Sequence, residues 1–356
     1  MPEKKPLNIL LLIHRFDFGG AENHVCDLAN ALCKERHKVF VVSRKGRQQT
    51  RLSKDVNFVK FRFRDLMLPI HLLWLIGFVL RHRIDVIHTH QRLPVLIGSL
   101  AGWVTRRRVV ATVHGRARYD LRHFLSRRFS QKIIFVSKAV MHYGLERFNI
   151  AHKSVFIPNG LIPSNCECDP AKQRLFFAGK INKSHLCFLE MMIREVLPGL
   201  RQSFPGLELI ILGDGRKMPQ LQDLVDEIND SPGKDICTVR GYTPDVAECY
   251  STASLVIGVG RVAMEAAGAG IPVLISNSKR MGGMLSVEKY NQLKDYNFVA
   301  VEAGPPVPFE LADVITDFCQ GNEFWKSEAM KVKQLILSDF GMDKVIAVII
   351  RQYQPQ

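Results

Sequence analysis

The sequence predicts an α/β protein of two doubly wound, Rossmann-like domains that face each other across a cleft. Three observations predict it. The chain has 356 residues, and at roughly 100–200 residues per domain that length suits about two domains, each with its own core. Short apolar runs alternate with amphipathic helical stretches from end to end, the pattern of βαβ units and a mainly parallel sheet. Several runs end in glycine-rich turns that open the next helix, which is where such sheets bind ligands.

In the first half the apolar runs predict strands over 7–13, 38–43, 56–61, 86–88, 109–113, 132–136 and 155–157, enough for one complete sheet. After Pro158-Asn159-Gly160, the stretch 161–172 holds two prolines and two cysteines without periodicity and reads as a linker. A second series predicts strands over 175–178, 207–212, 236–239, 255–257, 273–276 and 298–301. Residues 343–352 read as a terminal helix. The expected domains are therefore 1–164 and 165–340, with 341–356 placed to pack back on the first.

The longest apolar run, Leu66 to Leu80, is 15 residues interrupted by Pro69 and His71, short of the ~20 that span a bilayer. The plain reading is a helix buried against a sheet; the sharper one is an interfacial helix whose basic end, Arg81-His82-Arg83, meets lipid headgroups. Eight cysteines lie scattered without paired spacing, and the N-terminal segment MPEKKPLNIL has no signal-type apolar core. Free thiols and a cytoplasmic location are expected.

Charge is unevenly divided. Residues 1–150 carry 28 Lys and Arg against 10 acidic residues, whereas 151–356 carry 21 against 24. A basic unit beside a near-neutral one points to a polyanion next to the first, either an anionic membrane or nucleic acid. No nucleic-acid motif accompanies the charge, and aromatic residues do not interleave the basic runs, so no nucleic-acid partner is expected. Arg106-Arg107-Arg108, Arg116, Arg118 and the group from Arg122 to Arg128 are the residues expected at a membrane surface.

Candidate site residues follow strand ends. After the first strand come Gly19 and Gly20, a sharp turn that exposes amide groups at a helix start; the bland alternative is a simple strand-to-helix turn. His14, His88, His90 and His114 close strands of the same domain. Convergence of zinc-type ligands is not readable from sequence, so no metal is expected; His88 and His90 read as satisfied polar residues, and His114-Gly115 as the better candidate for touching substrate. In the second domain, Gly213-Asp214-Gly215 closes one strand tightly. The segment from Val256 to Val273 reads strand, glycine turn, small-residue helix, strand, with Gly258, Gly260, Arg261 and Val262 where free N–H groups would meet a diphosphate. Glu265, one turn further, is placed to accept ribose hydroxyls. Lys180 and Lys183 follow the neighbouring strand and would neutralise a pyrophosphate leaving group, unless they are merely solvated surface lysines.

These residues carry a resemblance. FGGAENHVCDLANALCKERHKVFVV, IDVIHTH, ATVHG, IIFVSKAVMHYGLERFNIAHKSVFIPNGL, LELIILGDG and GRVAMEAAGAGIPVL, in that order, resemble glycosyltransferase family four, retaining enzymes of the GT-B fold. The resemblance implies a nucleotide-sugar donor, UDP or GDP type, mainly in the C-terminal domain, an acceptor mainly in the N-terminal one, and no cofactor or metal. It places Gly19 and Gly20 beside the donor phosphates and acceptor, His114 against the donor sugar, Asn159-Gly160 at the hinge, and Glu265 as the second glutamate of the E-x(7)-E motif. Two departures stand out. The first glutamate falls at Ile257, and Lys180 stands at the usual arginine position with shortened spacing to Lys183, exchanging a bidentate fork for a point charge. The expectation is a membrane-peripheral retaining glycosyltransferase acting on a glycolipid or glycan acceptor such as lipopolysaccharide or capsule. The alternative is a catalytically weak nucleotide-sugar or glycan-binding protein.

Overall fold

The computed structural model describes residues 5–17, 19–115, 121–163, 173–229, 236–243 and 249–354. It divides into two compact units, Met1–Ile162 with Phe340–Gln356, and Pro163–Asp339.

In the first unit seven strands, β1 (Asn8–Arg15), β2 (Lys38–Arg44), β3 (Asn57–Lys60), β4 (Val86–His90), β5 (Arg108–Val113), β6 (Lys132–Phe135) and β7 (Ser154–Phe156), form one sheet in the order β3-β2-β1-β4-β5-β6-β7. Every pairing is parallel. Its helices are α1 (Gly20–Lys34), α2 (Leu68–Arg81), α3 (Arg92–Thr105), α4 (Leu121–Phe129) and α5 (Lys138–Leu145). The sheet is covered on both sides, which is why β1 reads as an unbroken apolar run rather than an alternating one. Ile9, Leu11 and Ile13 pack with α1, while Leu10 and Leu12 pack with Leu75 and Val79 of α2 and Ile97 and Ala101 of α3.

In the second unit β8 (Arg174–Lys180), β9 (Glu208–Asp214), β10 (Cys237–Gly241), β11 (Leu255–Gly258), β12 (Val273–Asn277) and β13 (Arg280–Met284) lie in the order β10-β9-β8-β11-β12-β13. Only β13 runs antiparallel to its neighbour. Helix α6 (Lys183–Met191) passes through a π turn into α7 (Leu197–Ser203); α8 (Met218–Asn229), α9 (Arg261–Ala269), α10 (Val287–Leu293), α11 (Pro308–Gln320) and α12 (Asn322–Phe340) follow. One sequence expectation is overturned. Residues 298–301 form no strand, because Asn297 and Phe298 both take left-handed φ values, 57° and 53°, which extended pairing does not tolerate. The sixth strand is β13 instead.

The terminal helix α13 (Met342–Gln352) belongs to the first unit, laying Val345, Ile346 and Ile349 into the core that α1 lines. Beyond it, Tyr353 Oη lies 2.7 Å from His88 Nδ1, and Arg108 Nε donates to the Gln352 carbonyl at 2.7 Å. No described helix is long and apolar enough to cross a membrane. Arg116, Arg118 and the Arg122 side chain lie outside the described residues.

Candidate functional site

The carboxyl ends of three adjacent strands, β9, β8 and β11, bring the sequence-predicted residues of the second unit to one rim. Lys180 and Asp214 are register partners, as are Gly179 and Gly213. The two strands approach so closely there that a Cβ at Gly213, whose φ is 150°, would overlap the Gly179 carbonyl oxygen. The loop is then closed by Ile181 N–H donating to the Asp214 carbonyl at 3.1 Å and by Gly215 N–H donating to Asp214 Oδ1 at 2.7 Å. Asp214 therefore shapes the turn with its own side chain. Lys180 and Lys183 are both exposed, and Lys183 opens α6 behind the cap Asn182, whose Oδ1 accepts the His185 N–H at 2.9 Å.

On the neighbouring strand, Gly258 ends β11 and Gly260 caps α9 with φ 65°, a left-handed conformation that glycine adopts without cost. The first amides of α9 point out of this turn with no side-chain cap, so a helix N-terminus is presented at the rim. Val262 is half-buried beside it. Asn297, which the sequence reading missed, abuts the turn: a Cβ on Gly260 would meet its Nδ2 at 3.3 Å, and Gly260 N–H donates to the Phe298 carbonyl at 3.4 Å. The only sequence signal for it was the short polar residue that tolerates a left-handed φ.

Arg261 and Glu265 form an i,i+4 ion pair, Nε to Oε1 at 2.6 Å, with the guanidinium side chain 8% exposed and the carboxylate 23%. Sequence reasoning gave them separate duties, phosphate and ribose; the structure couples them, so Arg261 fixes where Glu265 presents its second oxygen. Ile257 is fully buried on β11, packed in the core with Phe177 and Leu274. That position is built for an apolar side chain.

At the first unit's rim, Gly19 caps α1 with φ 155°, and a Cβ there would crowd Glu22 Oε2. Gly20 faces open space. Glu22 Oε1 accepts from Gln91 Nε2 at 2.8 Å while Gln91 Oε1 accepts the His14 N–H at 3.1 Å, tying the first turn of α1 to the ends of β1 and β4. Gln91 and Glu22 were not singled out from sequence, since their pairing spans 69 residues.

His114 lies 3.2 Å from His90, Nε2 to Nδ1, and His24 from α1 joins them, so that one nitrogen of each ring lies within 4.8 Å of the others. The sequence expectation of no metal and of plain satisfied polar roles for His90 is thus qualified: three imidazoles converge closely enough to hold a cation. Burial, reinforced by the neighbouring His88, His114 and His24, drives His90 well below the usual histidine range. His88 is pushed down to about 3, by burial first and by His114 second; its two nitrogens are engaged by Tyr353 Oη and Thr112 Oγ1, each at 2.7 Å. Both rings are neutral near pH 7 and serve as hydrogen-bonding groups behind the partly exposed His114.

Two family models match the chain, Glycosyltransferase Family 4 over residues 18–164 and Glycosyl transferases group 1 over residues 172–296. No curated protein matches it. Among solved structures, HepE of Anabaena in complex with UDP and glucose is 17% identical with a TM-score of 0.74, covering 97% of this chain and 98% of that one. A glycosyltransferase from Rickettsia africae is 16% identical with a TM-score of 0.73, covering 98% of each chain. Sucrose-phosphate synthase from Thermosynechococcus elongatus is 15% identical with a TM-score of 0.70, again covering 98% of each. At such identities the likeness shows the fold, the two-sheet architecture common to these transferases.

Proposed function

The chain belongs to glycosyltransferase family four and has the GT-B fold, and from that premise we propose that it is a retaining enzyme. It moves a hexosyl group from a nucleotide-diphosphate sugar, UDP- or GDP-linked, to a glycan or glycolipid acceptor of the lipopolysaccharide or capsule kind, held at the cytoplasmic face of a membrane. The observation that carries the reading is the uncapped N-terminus of α9, opened by the Gly260 turn at the end of β11 beside exposed Lys180. Free amides, a helix dipole and an ammonium group on one rim suit a diphosphate. UDP in the HepE complex favours uridine as the base.

In this reading the glycosidic C1–O bond to the β-phosphate breaks with its electron pair going to the phosphate oxygen. The α9 amides, Lys180 and Lys183 carry the charge that develops there. The acceptor hydroxyl attacks C1 on the face the nucleotide leaves, and its proton passes to the departing phosphate oxygen. Gly213 and Asp214 set the loop beside the phosphates, Gly258 and Val262 leave room for the backbone to approach, and Glu265 holds the ribose. Gly19 and Gly20 keep the first unit's rim open to the acceptor, and His114 hydrogen-bonds a sugar hydroxyl. Catalysis is electrostatic and positional, with no enzymic nucleophile and no metal.

Incubation of the protein with UDP-sugars and membrane-extracted acceptors, read by proton NMR of the product's anomeric signal, tests this. An α-linked product from an α-linked donor is expected; an inverted product overturns retention. The buried Ile257 favours a second reading, a catalytically weak sugar-nucleotide-binding protein. Donor binding without turnover on any acceptor would select it.

A further inference from the structure

Helix α2 lacks a polar face. Between Leu68 and Leu80 its one polar side chain is His71, and that residue is buried with Leu75 and Val79 against the sheet. On the outer side Leu66, just before the helix, Ile70, Leu73 and Leu80 are 99%, 59%, 70% and 56% exposed. Their spacing is helical, so they form one stripe along the full length of α2. The stripe does not stand alone. α2, α3 and α4 lie side by side, with Ser99 Oγ of α3 donating to the Ser126 carbonyl of α4 at 3.4 Å, and Trp103 of α3 and Phe124 of α4 are also more than half exposed.

The rim of this face is basic. Exposed Arg62 and Arg64 precede α2, Arg81 ends it and Arg83 follows, and Arg106 and Arg128 stand at the ends of α3 and α4. Between residues 62 and 130 the sequence has 13 arginines, no lysine and only three acidic residues. Arginine's planar fork engages phosphate bidentately, which a surface needing only solubility does not require.

We infer that the outer face of α2, α3 and α4 is a lipid-contacting surface, on which the stripe from Leu66 to Leu80 lies in the acyl boundary and the surrounding arginines grip anionic headgroup phosphates. α2 has 14 residues, about 21 Å at 1.5 Å per residue, so it lies along the interface and does not span. A second copy of this chain is the poorer occupant, because a two-fold contact on this face would bring two arginine rims together. The inference rests on the reading of a membrane-held acceptor and adds where the bilayer is met. The chain enters α2 from the carboxyl end of β3, the same edge of the parallel sheet at which the Gly19 turn follows β1, so the surface belongs to the unit assigned to the acceptor.

The test is vesicle co-sedimentation of the full chain with phosphatidylcholine vesicles and with phosphatidylcholine–phosphatidylglycerol vesicles. The wild type should bind the anionic vesicles at least about tenfold more tightly. Ile70→Ser with Leu73→Ser should lose about tenfold or more, and Arg81→Glu with Arg83→Glu should lose binding together with its salt dependence. All four side chains are exposed, so melting temperatures should hold and serve as the folding control. Trp103 fluorescence should be quenched by brominated acyl chains. A wild type that stays in the supernatant, serine variants that sediment like wild type, or a dimer that the serine variants dissolve would each overturn the inference. Sugar transfer to a detergent-free soluble acceptor, measured on the same proteins, separates this failure from failure of the transferase reading.

Discussion

Ile257 and Glu265 stand eight residues apart, and the contrast between them is the chemistry of the second unit in small. Glu265 is one quarter exposed and held by Arg261; Ile257 has no exposed surface and packs among Phe177 and Leu274. A glutamate at 257 would therefore not restore a sugar contact. We expect Ile257→Glu to destabilise the fold by about 3–5 kcal/mol, the cost of an uncompensated buried charge, seen as a large fall in melting temperature. An unchanged melting temperature with faster turnover would mean that this position faces the donor. The ion pair on Glu265 was not legible in advance. The spacing was plain in the sequence, but whether an arginine four residues away turns to its own helix or to a ligand depends on packing that spacing does not fix.

At the scale of elements, the glycine-led turns were readable because their chemistry is local. Gly213 and Gly260 occupy backbone conformations or close approaches that few other residues tolerate. The parallel strands were equally readable, since a strand buried on both faces leaves an unbroken apolar run. The edge was not. β13, with the sequence RMGGM, has no strand-like composition and is set by antiparallel pairing with β12, while the more apolar stretch after Asn297 is turned aside by two left-handed residues. The histidine group likewise needed the fold, for it draws on α1, β4 and the end of β5. His88, beside this group and hydrogen-bonded to Tyr353 just past α13, carries a pH dependence. His88 is held at about 3 in the folded chain against about 6.5 unfolded, so below pH 6.5 the unfolded state takes up a proton that the folded state refuses. Stability is then fully present above pH 6.5 and lost as pH falls toward 3, at about 1.4 kcal/mol per pH unit. Thermal melts from pH 7 to pH 5 should show at least that slope, because buried His90 is shifted in the same direction and adds to it, and His88→Gln should reduce the slope without abolishing it; an unchanged slope in the variant would place the titration elsewhere.

For the molecule as a whole, charge is divided unevenly between the two units. The first holds the basic residues, the lipid-type face and the histidine rim, and the second, near-neutral in sequence, holds the glycine turns, the helix N-terminus and the Arg261–Glu265 pair. Family and fold are established by the matches to both halves. The donor site is the central claim, and calorimetric titration of the purified protein with UDP, GDP and ADP, repeated on Glu265→Ala, tests it without knowledge of the acceptor. Tight binding of one nucleotide, UDP on this account, weakened about tenfold or more in the variant, is predicted, equivalent to a loss of about 1.4 kcal/mol. Folded protein that binds none of the three, or a variant that binds UDP as well as the wild type, would contradict it.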